Sequence, residues 1–320
     1  MRCFTWIVAA AIACGQLAHE PQYQHLCTYG SKHGIHPPKI LNRRAARAAI
    51  GEDEHPYGLA YPSSVVTDSK HRIWIADSGT ASIHVFDPGS AAYREIRRAG
   101  DAALQQPAGL TIDRQGYIYV TDTASGGIFA FDPTGEFDRS LIPKKRGRLL
   151  EGPTVIAPSE DGRTIFVADP PRKVIVALNR EGESVGTIGS EGSPVDAISL
   201  AIVGSEIYEL DRRTHKIEIY SFSGVLRREW EWEDVRLPSA FAYDRARNLF
   251  FVVNPRWMVI DIFNADGRNL SAFGEYGDAV HQMKSVDALY VDPQGLVYAT
   301  DSHEGKVLVF GESVQTIGKR

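Results

Sequence analysis

The residues with the clearest capacity for chemistry are cations gathered in four short segments: DPPRK (169–173), DRRTHK (211–216), NPRWM (254–258) and DSHEGK (301–306). They supply Arg172, Arg212, Arg213, His215, Arg256 and His303, with Lys173 and Lys306 beside them and Trp257 as an aromatic surface. PKKRGR adds Lys144, Lys145, Arg146 and Arg148. Guanidinium forks match carboxylate and phosphate oxygens, and an indole offers a stacking face. The corresponding segments DSGTAS (77–82) and DTASGG (122–127) are small and neutral, so the cations fall on one side of the set. This pattern predicts a contact surface for a protein, or for a small molecule or glycan carrying acidic groups. Plain solvated loop charge would give the same composition.

Other chemistry finds less support. Of ten histidines, His19, His25, His33, His36 and His55 come early without ligand-like pairing, and no HxxxH or CxxC spacing occurs. The expectation is no metal site and no cofactor. No Gly-x-Ser-x-Gly or other nucleophile context appears. The net charge of −5 gives no reason to expect nucleic acid as a partner.

The elements that must position these segments announce themselves by repetition. Each segment starts at one member of the series Asp77, Asp122, Asp169, Asp211, Asn254 and Asp301, spaced 45, 47, 42, 43 and 47 residues apart. An aromatic stands three residues before each: Trp74, Tyr119, Phe166, Tyr208, Phe251 and Tyr298. A β-branched residue stands six after, and a large apolar residue nine after. Such a period, written in strands and turns, predicts a propeller. Runs such as RTIFVAD and NLFFVVN are apolar nearly throughout, as strands covered on both faces should be. The expected fold is an all-β, six-bladed β-propeller of four-stranded antiparallel blades. The repeated Asp, present in almost every copy, is expected to fix a turn rather than to catalyse.

The segments QQPAGLTIDRQGYIYVTDTASGGIFAFDPTGE and SVDALYVDPQGLVYATDSHEGKVLVF resemble NHL repeats. The resemblance covers residues 61–320 and is weakest in the fourth copy, where Asp196 replaces the leading Pro and Ile202 the following Asp. It implies the six-bladed propeller and says little about function. Similar propellers include amidating lyases, which place a zinc-binding His just after the leading Pro. Here those positions hold Ser63, Ala108, Thr154, Ala197, Ser239 and Val286. Lactonase-type propellers hold an axial divalent ion with Glu, Asn and Asp, for which this chain offers Asp287 and Asp196. The expectation is therefore a non-catalytic binding module. The alternative is a metal-dependent hydrolase or lyase with its site in the axial channel.

The N-terminus reads as an export signal: MRCFTWIVAAAIACGQ has a basic head, a short apolar run and small residues at its end. Ala11-Ile12-Ala13-Cys14 resembles a bacterial lipobox, which implies a signal peptide over 1–13, lipidation of Cys14 and a place in the cell envelope with that lipid as the only membrane attachment. Cleavage after Ala13 without lipidation is the other option; a Cys14–Cys27 bridge then becomes available. Residues 14–60 are expected as a tether, and residues 40–50 are expected to add a strand to the edge of the last blade.

Overall fold

The computed structural model describes residues 21–30, 58–90, 92–141, 149–190, 193–231 and 235–313. Six four-stranded antiparallel sheets follow one another along the chain. Blade 1 is Pro62–Thr67, Ile73–Asp77, Ser82–Asp87 and Ala92–Ile96, and blade 2 is Pro107–Ile112, Ile118–Asp122, Gly127–Phe131 and Phe137–Ser140. Blade 3 is Ile156–Pro158, Thr164–Asp169, Val174–Asn179 and Ser184–Ile188, and blade 4 is Ala197–Val203, Glu206–Asp211, Ile217–Ser221 and Leu226–Trp230. Blade 5 is Phe241–Asp244, Leu249–Asn254, Val259–Asn264 and Asn269–Phe273. Blade 6 has three consecutive strands, Val286–Val291, Val297–Asp301 and Lys306–Glu312, and takes its fourth from the start of the chain, Tyr23–Gly30.

The arrangement is a six-bladed β-propeller. Its core comes in six parcels, each built from two neighbouring blades, and the sixth parcel joins blade 6 back to blade 1. Successive residues of a second strand serve opposite neighbours. Ile75 packs toward blade 6, whereas Ala76 packs toward blade 2. That division explains the unbroken apolar runs: neither face of a middle strand meets water. Each fully buried Ile, Val or Phe contributes about 1.5–3 kcal/mol.

The recurring Asp works as a latch. Asp77 accepts the backbone N–H groups of Ala60 and Tyr61 at 2.7 and 2.9 Å, before its own blade's inner strand, and those of Gly79 and Thr80 in the turn that follows. Asp122 binds Gln105, Gln106 and Ser125 in the same way, and Asp301 binds Lys284, Ser285 and Glu304. One carboxylate thus ties two loops on one face of the disc. Neighbouring inner strands are stapled by hydroxyls, as in Ser63 Oγ to the Pro107 carbonyl (3.1 Å) and Ser239 Oγ to the Val286 carbonyl (2.7 Å). At Gly109 a Cβ would stand 2.2 Å from the Thr154 carbonyl oxygen, so only glycine permits blades 2 and 3 to approach this closely.

Ring closure differs from the sequence expectation. The strand on the edge of blade 6 is Tyr23–Gly30, drawn from the stretch expected to be tether; residues 40–50, expected at this edge, lie outside the described residues. Its pairing runs from Tyr23 opposite Glu312 to Gly30 opposite Lys306, with a bulge between His25 and Cys27. The bulge exchanges the two faces of the strand. Tyr23 therefore faces blade 5, 4.9 Å from the Phe273 ring and 5.4 Å from Phe251, while Tyr29 faces blade 1, 5.5 Å from Phe86. Cys27 is a free thiol in this strand, and burial pushes it up to about 11.

Deleting residues 1–30 removes both tyrosine anchors and bares the edge of Lys306–Glu312. The expected loss is roughly 5 kcal/mol, which for a domain of this size lowers Tm by roughly 10 °C. Calorimetry of the truncated and full-length chains checks this; an unchanged Tm contradicts the closure described.

Candidate functional site

In each blade the turn after the second strand and the connection into the next inner strand emerge on the same side of the disc, because antiparallel strands alternate direction. All the cationic segments named above that fall within the described residues lie on this side. Local geometry decides which of their side chains remain free.

Most of them are occupied. Arg172 closes a single 3₁₀ turn, Pro170–Arg172, and its Nη1 donates to the Leu149 carbonyl at 2.8 Å while lying 3.6 Å from Asp169. Arg213 reaches Asp211 Oδ2 at 3.2 Å and the Pro194 carbonyl. Arg212 stays exposed, with its Nε 3.7 Å from Asp196 Oδ1. His215 is exposed at a left-handed turn position, φ 58°, where its amide donates to the Asp211 carbonyl. His303 is exposed and pairs with Glu304 at 3.1 Å. Lys306 does not join the rim: it is buried and donates to the carbonyls of Gln282 (2.6 Å) and Ala279 (3.3 Å), and burial lowers its pKa. Lys144, Lys145, Arg146 and Arg148 lie outside the described residues. The cations therefore alternate with Asp196, Asp211 and Glu304 rather than forming a bare positive arc.

Lys173 is exposed with no ion pair among the described residues, and blade 5 holds a second unpaired cation. Arg256 lies with its guanidinium 4.9 Å from the centre of the Trp257 ring, and Trp257 is 61% exposed. Among the described residues no carboxylate stands within ion-pair distance of Arg256. Other exposed apolar residues on the same side of the disc are Leu237 in the connection into blade 5, Tyr276 and Val280 in the connection out of it, and Tyr61 in the connection into blade 1. An arginine stacked on an exposed indole, with exposed Leu and Tyr in the flanking connections, has the composition of an interaction surface.

Two buried polar groups could carry chemistry. In blade 1, His84 Nε2 is 3.1 Å from Ser82 Oγ and 3.6 Å from Asp77 Oδ2, and its Nδ1 is 2.7 Å from the Tyr93 hydroxyl. A catalytic triad needs the carboxylate and the nucleophile on opposite ring nitrogens. Here both face Nε2, and Ser82, His84 and Asp77 are all buried. Burial lowers the His84 pKa, which keeps the ring neutral as a packed hydrogen-bonding group. In blade 4, Glu209, Asp211 and Glu218 come together, each buried and offering one oxygen within 4.8 Å of the others. The sequence reading had no metal ligand and missed this trio. The available signal was Glu-x-Asp ending one strand and Glu218 on the next, brought opposite by the hairpin register.

On the inner strands, Asp287 is half-buried with one carboxylate oxygen unpartnered, and burial together with Asp301 raises its pKa. Asp196 lies in the connection before blade 4. Among the described residues neither joins a third ligand: the one close group of three metal-binding side chains is the blade 4 trio, on second and third strands away from the axis.

Comparison with known proteins agrees with this architecture. The family model for the NHL repeat matches residues 59–86. No curated protein matches the sequence. Among solved structures, Kuenenia stuttgartiensis hydrazine synthase is similar with a TM-score of 0.59 at 12% identity, covering 82% of this chain and 98% of that one. A streptogramin B lyase gives 0.58 at 13% identity over 93% and 96% of the two chains. A catalytically inactive virginiamycin B lyase from Staphylococcus aureus with quinupristin gives 0.56 at 11% identity over 82% and 83%. At these identities the likeness is one of fold. The chain is a six-bladed β-propeller in which residues 59–86 match the NHL repeat.

Proposed function

We propose that this protein is an exported, lipid-anchored recognition module that holds a protein partner against the side of the disc carrying Arg256 and Trp257. The observation that carries the reading is the exposed stacked pair, with Leu237, Tyr276 and Val280 in the connections into and out of blade 5. Interfaces draw most of their affinity from a few Trp, Tyr and Arg anchors surrounded by polar residues. A partner presenting a carboxylate for Arg256 and an apolar side chain for the indole fits this surface, and Arg212, His215 and His303 make its polar border. Export and lipidation rest on the N-terminal sequence, with Cys14 as the acylated residue.

The rival reading is a lyase or lactonase. It would need ligands at the inner-strand starts, where Ser63 and Ser239 spend their hydroxyls on stapling blades. Conversion of quinupristin to a new chromatographic species on incubation with the protein would favour that reading.

A photo-crosslinking residue placed at position 257 in envelope-bound protein should give one discrete adduct, and the same probe at Phe222, on the opposite side, should give none. The adduct should disappear in Arg256→Glu. Equal labelling from both positions, or none from 257, contradicts the assigned surface. Cys14→Ser should release the protein from the membrane fraction, and continued membrane attachment of that variant would refute lipidation.

A further inference from the structure

Glu209 and Glu218 face each other across the middle hairpin of blade 4, and Asp211 ends the same strand as Glu209. Like charges directly opposed across a strand pair repel, and burial magnifies the effect. The relative exposures are 0% for Glu209, 0% for Asp211 and 5% for Glu218. The one cation within ion-pair distance of the trio, among the described residues, is Arg213, on Asp211.

The partners are unevenly shared. Asp211 accepts the amides of Asp196, Arg213 and Thr214 and the Arg213 guanidinium. Glu218 accepts the Tyr220 hydroxyl at 2.6 Å and the Thr214 hydroxyl at 3.0 Å. Neither oxygen of Glu209 has a hydrogen-bond donor. Other blades do not leave such a gap. At the positions paired like Glu209 and Glu218, blades 2, 3 and 6 carry Val120 with Phe129, Val167 with Val176, and Ala299 with Leu308. Blade 1 has His84, satisfied by Thr80, Ser82 and Tyr93, and blade 5 has Asp261, satisfied by the Asn254 and Asn269 amides. The propeller framework therefore does not require a carboxylate at 209, and the one present is aimed at two others with no donor from outside the trio.

We propose that Glu209, Asp211 and Glu218 form a binding site for a hard divalent cation of the calcium class. The donors are all oxygen, with no nitrogen or sulfur ligand, and three carboxylates supply the negative charge that a hard divalent cation favours. The cation replaces the missing donors of Glu209 and offsets the repulsion in the hairpin. It also fixes the turn 211–216, which carries Arg212 and His215. The site is independent of whether the exposed face binds a partner.

The test is calorimetric titration of chelator-treated, full-length protein with Ca²⁺, alongside Tm measured in chelator and in Ca²⁺. The expected result is one ion bound per chain, a Tm that rises with Ca²⁺, and at least tenfold weaker binding in Glu209→Gln. That variant removes the unanswered charge, so its Tm in chelator should equal or exceed that of the wild type. No binding of Ca²⁺ by the wild type, or an unchanged affinity in Glu209→Gln, overturns the proposal; the former would mean that Glu209 and Glu218 share a proton instead. The wild-type titration decides the matter even if the variant fails to fold.

Discussion

The burial of each blade's flank against the next is the interaction on which the whole molecule depends, and it must be continued across the junction between the last blade and the first. A single four-stranded sheet of this composition would expose apolar residues on both faces. At the junction, Tyr298, Val307 and Val309 of blade 6 meet Ile73, Ile75 and Phe86 of blade 1, with Leu59 and Tyr29 completing the parcel. Tyr29 comes from the opposite end of the chain from the strand beside it. The junction is thus held by chain connectivity as well as by packing, since opening it requires the N-terminal strand to leave a sheet whose other strands end at residue 312.

That constraint divides the polar residues into two populations. The latch aspartates other than Asp211, the stapling hydroxyls and the His84 network are consumed by architecture: each has its partners within the disc, and each serves blade geometry. What is left for recognition lies in the loops between latch points, where blades differ from one another. There, too, most cations are answered locally, and the distinctive feature is the Arg256–Trp257 stack, with exposed apolar residues in the connections into and out of blade 5. Blade 4 departs from the repeat in a different way, by burying Glu209 and Glu218 beside Asp211 where blades 2, 3 and 6 bury apolar pairs.

Much of the fold was legible in the sequence because every blade solves the same packing problem with the same residues at the same spacing. The period, the two-sided apolar strands and the latch Asp could all be read directly. The closing strand could not. Outer strands are weakly patterned throughout, as in Ser184–Ile188, where four of five residues are exposed, and YQHLCTYG looks no more like a strand than a tether does. Its two anchors, Tyr23 and Tyr29, share a face in an unbroken strand, and only the bulge separates them. Of the candidate site, the positions of Arg212, Arg256, Trp257 and His303 on one side followed from the repeat. Their partners did not, because pairing Arg213 with Pro194 or Lys306 with Gln282 depends on loop geometry. Nor did the repeat reveal the exposure of Leu237, Tyr276 and Val280 in the connections beside blade 5, or the blade 4 trio, whose members meet only through strand register.

The central claim is that a strand from the start of the chain closes the disc and shares its stability. Native-state hydrogen exchange tests it most directly. The amides of residues 23–30 and 306–312 should exchange only with global unfolding, at the same free energy as those of the middle strands of blade 3. Exchange of residues 23–30 through a low-energy local opening, with blade 3 still protected, would contradict the account.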